Sequence, residues 1–265
     1  MEGRVARISI APLKSLHVAN PHEVELGHAG VAGDRRFWLV DADGRLVNDK
    51  RRPELLRVHA EWDEATRRLV LAFPDGPRID GVVEPGEPVD ATLYGRPHPS
   101  RGVPGPWQEA LSEYAGEPLT LLWSEPGAVD RGIGSGAVTV VSCSSLEQLG
   151  EEAGVAGPVD GRRFRMLFEI DGVEPHEEDE WIGRRVAIGD AVVAPVGNVG
   201  RCAVTTKNPD TGETDLDTLG TLAVYRGQRE GRTEPLPFGV HAAVVQPGRV
   251  RIGDLVRPVP LPVWA

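Results

Sequence analysis

The sequence predicts a mainly β fold with a few helices, built from an N-terminal barrel-like β domain and a C-terminal β-barrel. The first observation behind this prediction is the count of 32 glycines and 23 prolines among 265 residues. These two residue types make up about a fifth of the chain, whereas their average usage is roughly 12%. Because no repeat is visible, this excess indicates many turns and hence many short strands. The second observation is that its apolar runs are short and often alternate with polar residues, which favours short strands. Closure into barrels removes the exposed edges that many short strands otherwise present.

The strands follow from this alternation, taken in chain order. In the run "ARISI", residues 6–10, Ala6, Ile8 and Ile10 alternate with polar residues, as in a half-buried strand. Gly, Pro, Asp and Asn separate the later runs. The other predicted strands are Arg36–Asp41, Arg68–Phe73, Val138–Ser142, Arg165–Ile170, Val186–Gly197 and Ala242–Val256.

Three helices are predicted among these strands. Pro106–Gly116 has proline at an allowed early position and glycine at its end. Ser144–Gly154 begins with a capping-box pattern formed by Ser144 and Glu147. Asp215–Arg226 carries a stripe of leucine and alanine.

A glycine-rich segment, Glu125–Val138, separates the two halves of the chain. We expect the domain boundary there, which gives an N-terminal domain of residues 1–125 and a C-terminal barrel of residues 126–265. Within this segment, the run "GIGSG" (Gly132–Gly136) resembles a phosphate-binding loop only weakly, because the strand–turn–helix context is missing.

Composition excludes several classes of function. The net charge of −11 disfavours nucleic acid as a partner, because phosphate binding needs a surplus of Lys and Arg. No apolar run approaches the ~18 residues of a membrane span, so no membrane association is expected. The first residues lack a signal-peptide apolar core, and two cysteines cannot form a disulfide framework. A cytoplasmic location is therefore expected.

Cys202 is the first candidate for chemistry. A thiolate is a soft metal ligand, and Arg201 beside it would favour the ionised form. No CxxC pair occurs and Cys143 is distant in sequence, so a structural zinc site is excluded. Thr205 and Thr206 follow with a strong turn and suggest the wall of a ligand pocket. Two interpretations remain: an inert buried cysteine, or one protein bond to a metal that another group holds.

Basic residues stand out in the otherwise acidic sequence. Lys14 and Ser15 follow the first strand, and Arg35 and Arg36 begin another. A third cluster, "GRRFR", includes Arg165. Lys and Arg at such positions suit a phosphate or another anion, although solvated strand-end arginines give the same pattern. The acidic run Pro175–Trp181 likewise fits either a hard-cation site or a solvated loop.

Six motifs in order resemble those of MOSC-domain proteins that carry a MOSC N-terminal β-barrel domain. This group includes the mitochondrial amidoxime reducing component, its bacterial relatives and the C-terminal part of molybdenum cofactor sulfurases. The matching segments are "PLKS", "GVAGDRRFWLVDADGRLVNDKRRPELLRV", "RRFRMLFEI", "EEDEWIGRRVAIGD", "RCAVTTKNPDTGE" and "PGRVRIGDLV". They span most of the chain.

The resemblance implies that Cys202 coordinates molybdenum in a pterin-bound molybdenum cofactor, Mo-molybdopterin. It also implies that Lys14, Ser15, Arg36 and Arg165 line the pterin and its phosphate. Ser142 and Ser145 fall in the segment that resembles the cofactor loop of the family. Taken with the polar neighbours of Cys202, the expected cofactor-binding residues are Lys14, Ser15, Arg36, Ser142, Ser145, Arg165, Arg201, Thr205 and Thr206.

The function that the resemblance implies is an oxidoreductase that reduces N-hydroxylated compounds. Electrons would come from a separate donor protein of the ferredoxin or flavoprotein type. Two alternatives remain open, a carrier or store of the cofactor and a sulfur-transfer enzyme of the sulfurase type. One departure stands out: Met166 and Leu167 replace the Pro-Asn of the family pattern R-F-R-P-N. They are expected either to form an apolar substrate wall or to lie in the core.

Overall fold

A computed structural model describes residues 2–130, 136–227 and 236–259. The predicted mainly β fold with three helices is confirmed within this part of the chain. The first four residues of the run "GIGSG", and with them part of the proposed boundary segment, lie outside the described residues. The strands are β1 (Gly3–Ile8), β2 (Glu23–Gly27), β3 (Gly30–Val31), β4 (Phe37–Val40), β5 (Leu46–Val47), β6 (His59–Asp63), β7 (Arg68–Ala72), β8 (Arg78–Val82), β9 (Thr92–Leu93), β10 (Arg96–Pro97), β11 (Ser100–Gly102), β12 (Thr120–Ser124), β13 (Val138–Ser142), β14 (Phe168–Asp171), β15 (Arg185–Ile188), β16 (Ala191–Gly200), β17 (Pro237–Gln246), β18 (Gly248–Arg251) and β19 (Leu255–Val259). The α-helices are α1 (Pro106–Ala115), α2 (Cys143–Glu152) and α3 (Thr218–Tyr225), and short 3-10 helices span Pro53–Arg57, Gly161–Phe164, Glu177–Trp181 and Ala203–Thr206.

Seven strands close into a barrel in the order β1-β14-β13-β17-β16-β15-β19. Its interior is filled by aliphatic and aromatic side chains such as Val5, Phe168, Ile170 and Val240, each at most 1% exposed. Because β1 pairs with both β14 and β19, the first residues of the chain complete the barrel that later strands begin. A three-stranded sheet, β18-β2-β3, also joins the two ends of the chain. The division at residues 125 and 126 stays a prediction.

The rest of the N-terminal half packs around a second core. A four-stranded sheet, β11-β12-β4-β5, and a three-stranded sheet, β6-β7-β8, supply it together with α1. Leu13, Phe37, Leu69 and Trp107 are central members of this core. Since Leu13 lies just after β1, the chain passes from the barrel to the second core at the segment "PLKS", and this passage positions the site described below.

Several predicted boundaries differ from the structure for local reasons. The capping box at Ser144 is wrong, because β13 runs directly into α2 and Ser142 is the N-cap, accepting a hydrogen bond from the Ser145 amide at 3.1 Å. Ser144 Oγ instead donates to the carbonyl of Val173 at 2.6 Å. The helix α3 begins three residues later than predicted. The runs predicted as single strands in the C-terminal half are divided by turns into β15 and β16, and into β17, β18 and β19.

The predicted strand that starts at Arg165 begins only at Phe168. A 3-10 turn over Gly161–Phe164 precedes it, and Arg165 then adopts a left-handed conformation with φ of 53°. This backbone reversal ends the turn. It also places Arg165 at a cavity instead of in the sheet.

Within the described residues, no helix combines the length and the apolar character that crossing a membrane requires.

Candidate functional site

A cavity lies where the barrel meets the N-terminal core, and its walls come from segments that are distant in sequence. It is bordered by the "PLKS" turn, the start of β4, the loop after β5, the β9–β10 turn, Asp130, the 3-10 turn before β14 and the end of β16. The lining residues are Lys14, Ser15, Arg35, Asn48, Asp49, Lys50, Tyr94, Asp130, Arg163, Phe164, Arg165, Gly200, Arg201, Cys202, Val204 and Thr205.

The cavity unites many of the residues that the sequence singled out. The predicted site residues that line it are Lys14, Ser15, Arg165, Arg201, Cys202 and Thr205. Four others, Arg36, Ser142, Ser145 and Thr206, are not among its lining residues. Their positions and the physical reasons are given below.

Backbone strain is concentrated at this cavity. Seven non-glycine residues of the described chain have positive φ, and four of them line the cavity. These four are Ser15 (75°), Arg35 (49°), Tyr94 (50°) and Arg165 (53°). Each such residue costs of order 1 to 3 kcal/mol and persists only where surrounding structure enforces it, which is typical of functional sites.

The "PLKS" turn is held against the first residue of β4. The Lys14 amide donates to the Phe37 carbonyl at 2.8 Å, and the Phe37 amide donates to Pro12 at 3.0 Å. These two bonds fix the backbone on both sides of Leu13, directly before Lys14. The Lys14 side chain therefore enters the cavity from a rigid support.

Two cations converge on one carboxylate inside the cavity. Lys14 Nζ forms an ion pair with Asp130 Oδ2, and Arg35 Nε lies 3.1 Å from Asp130 Oδ1. Arg35 is held in turn by Asp34, whose Oδ2 is 2.7 Å from Arg35 Nη1. Arg165 lies beside them: its Nη1 donates to Leu16 at 2.8 Å, and its carbonyl accepts from Arg35 Nη2 at 3.3 Å.

Burial and charge act in opposite directions on these groups. Burial lowers the pKa of Lys14, but the nearby charge and hydrogen bond of Asp130 outweigh it and leave the pKa raised. Burial likewise opposes the charge of Arg35, and Asp34 and Asp130 overcome it, so its pKa is also raised. For Arg165, burial dominates and the pKa is lowered. The cavity therefore keeps two firmly charged cations beside a third, Arg165, whose charged form is disfavoured by burial.

We expect an anionic ligand of this cavity to compete with Asp130 for the position between Lys14 and Arg35. The Asp130 carboxylate is oxygen-bearing and negatively charged, like one face of a phosphate, and both of its oxygens are paired with cations. The Lys14–Arg35 pair is thus already arranged as an anion-binding pair.

Replacing Asp130 by asparagine is expected to tighten the binding of inorganic phosphate to the cofactor-free protein by about tenfold, because a competing charge-assisted contact is removed. Isothermal titration calorimetry measures this directly. Glu125→Gln is the matched control, since Glu125 pairs with Arg101 at 2.7 Å and is not among the residues that line the cavity. Equal phosphate affinity in Asp130→Asn and the unmodified protein would show that Asp130 does not compete for this position.

Arg36 is not among the residues that line the cavity, whereas its neighbour Arg35 is. The Arg36 guanidinium lies over the ring of Trp123, 4.8 Å from the centroid, and its Nη2 is 3.3 Å from Glu64 Oε1. The left-handed conformation of Arg35 turns one arginine into the cavity just before β4 begins and sends the next outward. The cation that joins Lys14 at Asp130 is therefore Arg35 and not Arg36, while a role of Arg36 in cofactor binding stays a prediction.

Cys202 is exposed at the cavity and lies between the end of the long strand β16 at Gly200 and the 3-10 turn Ala203–Thr206. Its carbonyl accepts hydrogen bonds from both the amide and the hydroxyl of Thr205, each at 3.1 Å. The backbone of Cys202 is thus committed to the following 3-10 turn, while its thiol stays accessible. The interpretation of Cys202 as an inert buried cysteine does not fit this placement.

The two threonines after Cys202 serve the turn more than the cavity. Thr205 Oγ1 lies 2.7 Å from Thr218 Oγ1, which ties the turn to α3. Thr206 Oγ1 donates to the Ala203 carbonyl at 2.8 Å. Thr205 therefore lines the cavity with its hydroxyl already engaged, and Thr206 caps the turn outside it.

Arg201, the residue before Cys202, anchors the backbone at this position through its guanidinium group. Its Nε donates to the Phe238 carbonyl at 2.9 Å and its Nη1 to the Phe164 carbonyl at 3.1 Å. The guanidinium also lies over the Phe164 ring, 5.2 Å from its centroid. These contacts join β16, β17 and the turn before β14, so Arg201 fixes the backbone that presents the thiol.

The other cysteine has a different environment. Cys143 is half-buried at the start of α2 and does not line this cavity. Burial, followed by the nearby charge of Glu169, raises the pKa of Cys143 to about 12. It therefore stays a protonated thiol at neutral pH.

Ser142 and Ser145 belong to a separate buried network below α2. Their hydroxyls are 2.6 Å apart, and Ser145 Oγ also donates to Glu178 Oε1 at 3.1 Å and accepts from the His176 amide at 2.8 Å. Both serines and Glu178 are fully buried, and burial raises the pKa of Glu178 to about 7. The hydroxyl groups of both serines are thus engaged in capping α2 and in this hydrogen-bond network. The acidic run 175–181 is not the solvated loop it resembled, because Glu178 points into the protein.

Met166 and Leu167 lie in hydrophobic cores and not at the cavity. Leu167 is 3% exposed within the barrel core, and its amide donates to Thr139 Oγ1 at 2.9 Å. Met166 is 1% exposed in the cluster under α2, and its Sδ lies 2.8 Å from Arg201 Nη2. The expectation of an apolar substrate wall at these residues is therefore wrong.

The substitution Leu167→Asn is expected to lower the free energy of unfolding by about 3 to 5 kcal/mol, because it removes buried apolar surface and leaves an amide without a partner. Urea denaturation measures the loss, and Leu167→Met is the volume-conserving control. A variant of unchanged stability with an altered substrate preference would place Leu167 at the site instead.

Within residues 2–130, 136–227 and 236–259, no group of three or more His, Cys, Asp or Glu side chains is arranged to hold a metal ion.

The fold and the cavity define a β-barrel protein in which one exposed thiol lies in the same cavity as a cluster of buried cations. Two family models match the chain: the MOSC N-terminal beta barrel domain over residues 2–94 and the MOSC domain over residues 127–257. Together these matches cover most of the sequence. The chain belongs to the MOSC-domain family with an N-terminal MOSC β-barrel domain.

Curated relatives agree with this assignment. Mitochondrial amidoxime-reducing component 1 of Mus musculus is 26% identical over 96% of this chain and 82% of its own length. The same component of Xenopus laevis is 25% identical over 96% and 81%. Molybdenum cofactor sulfurase of Oryza sativa is 24% identical over 84% of this chain, which corresponds to only 31% of that longer protein.

Among solved structures, the YuaD protein of Bacillus subtilis aligns over 97% of this chain and 94% of its own, with 11% identity and a TM-score of 0.46.

Proposed function

We propose that this protein binds Mo-molybdopterin in the cavity at Cys202 and reduces N-hydroxylated compounds. The single observation that carries the proposal is the cavity itself, which places an accessible thiol in the same pocket as the Lys14–Arg35 anion-binding pair. Electrons come from a separate donor protein of the ferredoxin or flavoprotein type. The substrate is a small molecule that enters at the open side of the cavity.

The chemistry of the donor set fits this cofactor. A thiolate is a soft ligand suited to molybdenum, and Cys202 is the residue that would supply it. Lys14 and Arg35 would hold the phosphate, since they already hold a carboxylate, and Arg165 adds a third cation. Ser15 and Asn48 line the same cavity and offer polar atoms to a heterocycle.

When bound, the cofactor would supply the two-electron redox chemistry that the protein side chains lack. The overall reaction converts an N–OH group to N–H and releases water, using two electrons from the donor and two protons from solvent. The chain's own residues hold the reacting centre in place. Lys14 and Arg35 fix the anionic end, and the Arg201 bonds to Phe238 and Phe164 keep the Cys202 backbone rigid.

The comparisons support a function related to the molybdenum cofactor. The relatives that align over nearly the whole chain are named amidoxime-reducing components, which supports reduction of N-hydroxylated compounds over the alternatives. Sulfur transfer is the second candidate, and the exposure of Cys202 together with the match to molybdenum cofactor sulfurase supports it. A carrier or store of the cofactor would use the same pocket without turnover.

One experiment separates these functions. The protein is purified anaerobically from cells that make the cofactor, then mixed with a chemical reductant and a panel of hydroxylamines and amidoximes. Product formation with stoichiometric molybdenum supports the reductase, and molybdenum without turnover points to a carrier. Passage of labelled sulfur from a desulfurase to Cys202 and onward, without reduction of any compound, would favour sulfur transfer.

A further inference from the structure

The strands β9 and β10 form a hairpin whose tip lies at the cavity. Its two turn residues, Tyr94 and Gly95, have φ of 50° and 78°. Two-residue hairpin turns with positive φ at both positions strongly prefer Asn-Gly or Asp-Gly. A bulky aromatic residue in this conformation is an outlier, so the fold supports a strained position in order to display a tyrosine.

The base of the hairpin is fixed, whereas its tip is open. Leu93 packs on a small core that includes Trp38 and Val129, and the Thr92 amide donates to the Gly44 carbonyl at 3.2 Å. Among the described residues, apart from its own chain neighbours, Gly95 has no heavy atom within 4 Å of the position that a Cβ would take. The residue before Tyr94 thus sets the place of the ring, and the described part of the chain leaves the space beside Gly95 open.

The ring of Tyr94 combines exposure with contact to the cavity. Tyr94 is 64% exposed and lines the same pocket as Cys202. The Lys14 ammonium lies 5.8 Å from its ring centroid, within the range of a cation–π contact. Much of the ring surface remains open, at the rim of the cavity.

We propose that Tyr94 determines substrate specificity by stacking on the aromatic ring of N-hydroxylated substrates at the mouth of the cavity. This inference rests on the proposed function. A flat aryl group attached to the reacting nitrogen would lie along the exposed part of Tyr94, while the N–OH end points inward to Cys202. Aliphatic N-hydroxylated compounds gain little from this surface, so the enzyme prefers aryl substrates.

The test compares benzamidoxime with acetamidoxime in the cofactor-loaded protein. Dissociation constants are measured by calorimetry on the oxidised protein without an electron donor, and kcat/KM is measured with reductant. The substitution Tyr94→Asn is expected to weaken binding of benzamidoxime about three- to tenfold, and that of acetamidoxime less than about twofold. Tyr94→Phe keeps the aryl preference.

Asparagine suits the turn better than tyrosine, so Tyr94→Asn is expected to fold at least as well as the unmodified protein. Val82→Asn is the matched control, because Val82 is 62% exposed and is not among the residues that line the cavity. An unchanged ratio of the two dissociation constants in Tyr94→Asn, or no aryl preference in the unmodified protein, overturns the inference. If the unmodified protein bound aryl compounds preferentially but turned over neither compound, that result would instead contradict the proposed function.

Discussion

Replacing Cys202 by serine is expected to remove most of the molybdenum from the purified protein and most of its activity, while the fold is preserved. Serine offers a hard hydroxyl in place of a soft thiolate. Loss of an outer-shell partner alone costs a metal site about 10- to 100-fold in affinity, and loss of the ligand itself should cost at least as much. The fold should survive because Cys202 is exposed, and its structural bonds to Thr205 come from its carbonyl.

The ratio of molybdenum to protein by plasma mass spectrometry, together with a thermal unfolding curve, measures both parts of this result. Cys143→Ser is the matched control, since Cys143 lies outside the cavity at the start of α2. It should keep its molybdenum. Full metal content and turnover in Cys202→Ser would show that the thiolate is not the ligand.

Neutralising either cation of the Lys14–Arg35 pair is expected to lower cofactor retention about 10- to 100-fold, the value of one charge-assisted hydrogen bond of about 1.5 to 3 kcal/mol. Lys14→Gln and Arg35→Gln each remove one partner of the anion position that Asp130 now fills. Arg36→Gln is the decisive control. It carries the same change one residue away, on a side chain that lies over Trp123 and is not among the residues lining the cavity.

Retention is measured as pterin fluorescence extracted after dialysis. Because Lys14 and Asp130 are paired, Lys14→Gln alone leaves a carboxylate with one partner fewer, so the double variant Lys14→Gln/Asp130→Asn is tested beside it. A loss of cofactor in the double variant, which restores the charge balance, assigns the effect to the missing cation. If Arg36→Gln lost as much cofactor as Arg35→Gln, the assignment of the pocket cation would be wrong.

Much of the fold could be predicted because it depends on local patterns. Alternation in "ARISI" located β1, although the strand begins earlier, at Gly3. Proline and glycine bracketed α1, whose predicted bounds match within one residue. The closure of the barrel by β1 could not be predicted in this way, because it depends on pairing with β14 and β19, which lie far away along the chain.

Sequence motifs predicted the site residues that a motif identifies individually. They could not predict which of two neighbouring residues enters the cavity, because the backbone conformation determines that. Lys14, Ser15, Arg165 and Cys202 meet at one cavity, as the motif order indicated. Arg35 and Arg36 carry the same charge, so only the left-handed backbone at Arg35 decides which of them enters the cavity.

The roles of several other residues could not be predicted from the sequence. Ser142 and Ser145 resembled a cofactor loop, yet capping and the bond to Glu178 consume their hydroxyls. The role of Asp130 depends on three-dimensional placement beside Lys14 and Arg35, and the sequence gives no local pattern for it. Tyr94 gave no local signal, because two-residue hairpin turns of this kind usually carry Asn-Gly or Asp-Gly.

The most direct test of a cofactor pocket at Cys202 is the content of molybdenum and pterin per chain after native purification from cells that make the cofactor. The proposed function predicts stoichiometric molybdenum and stoichiometric pterin, bound together and lost together on denaturation. A folded protein that carries neither above background, from cells whose other molybdenum enzymes are fully loaded, would contradict the assignment.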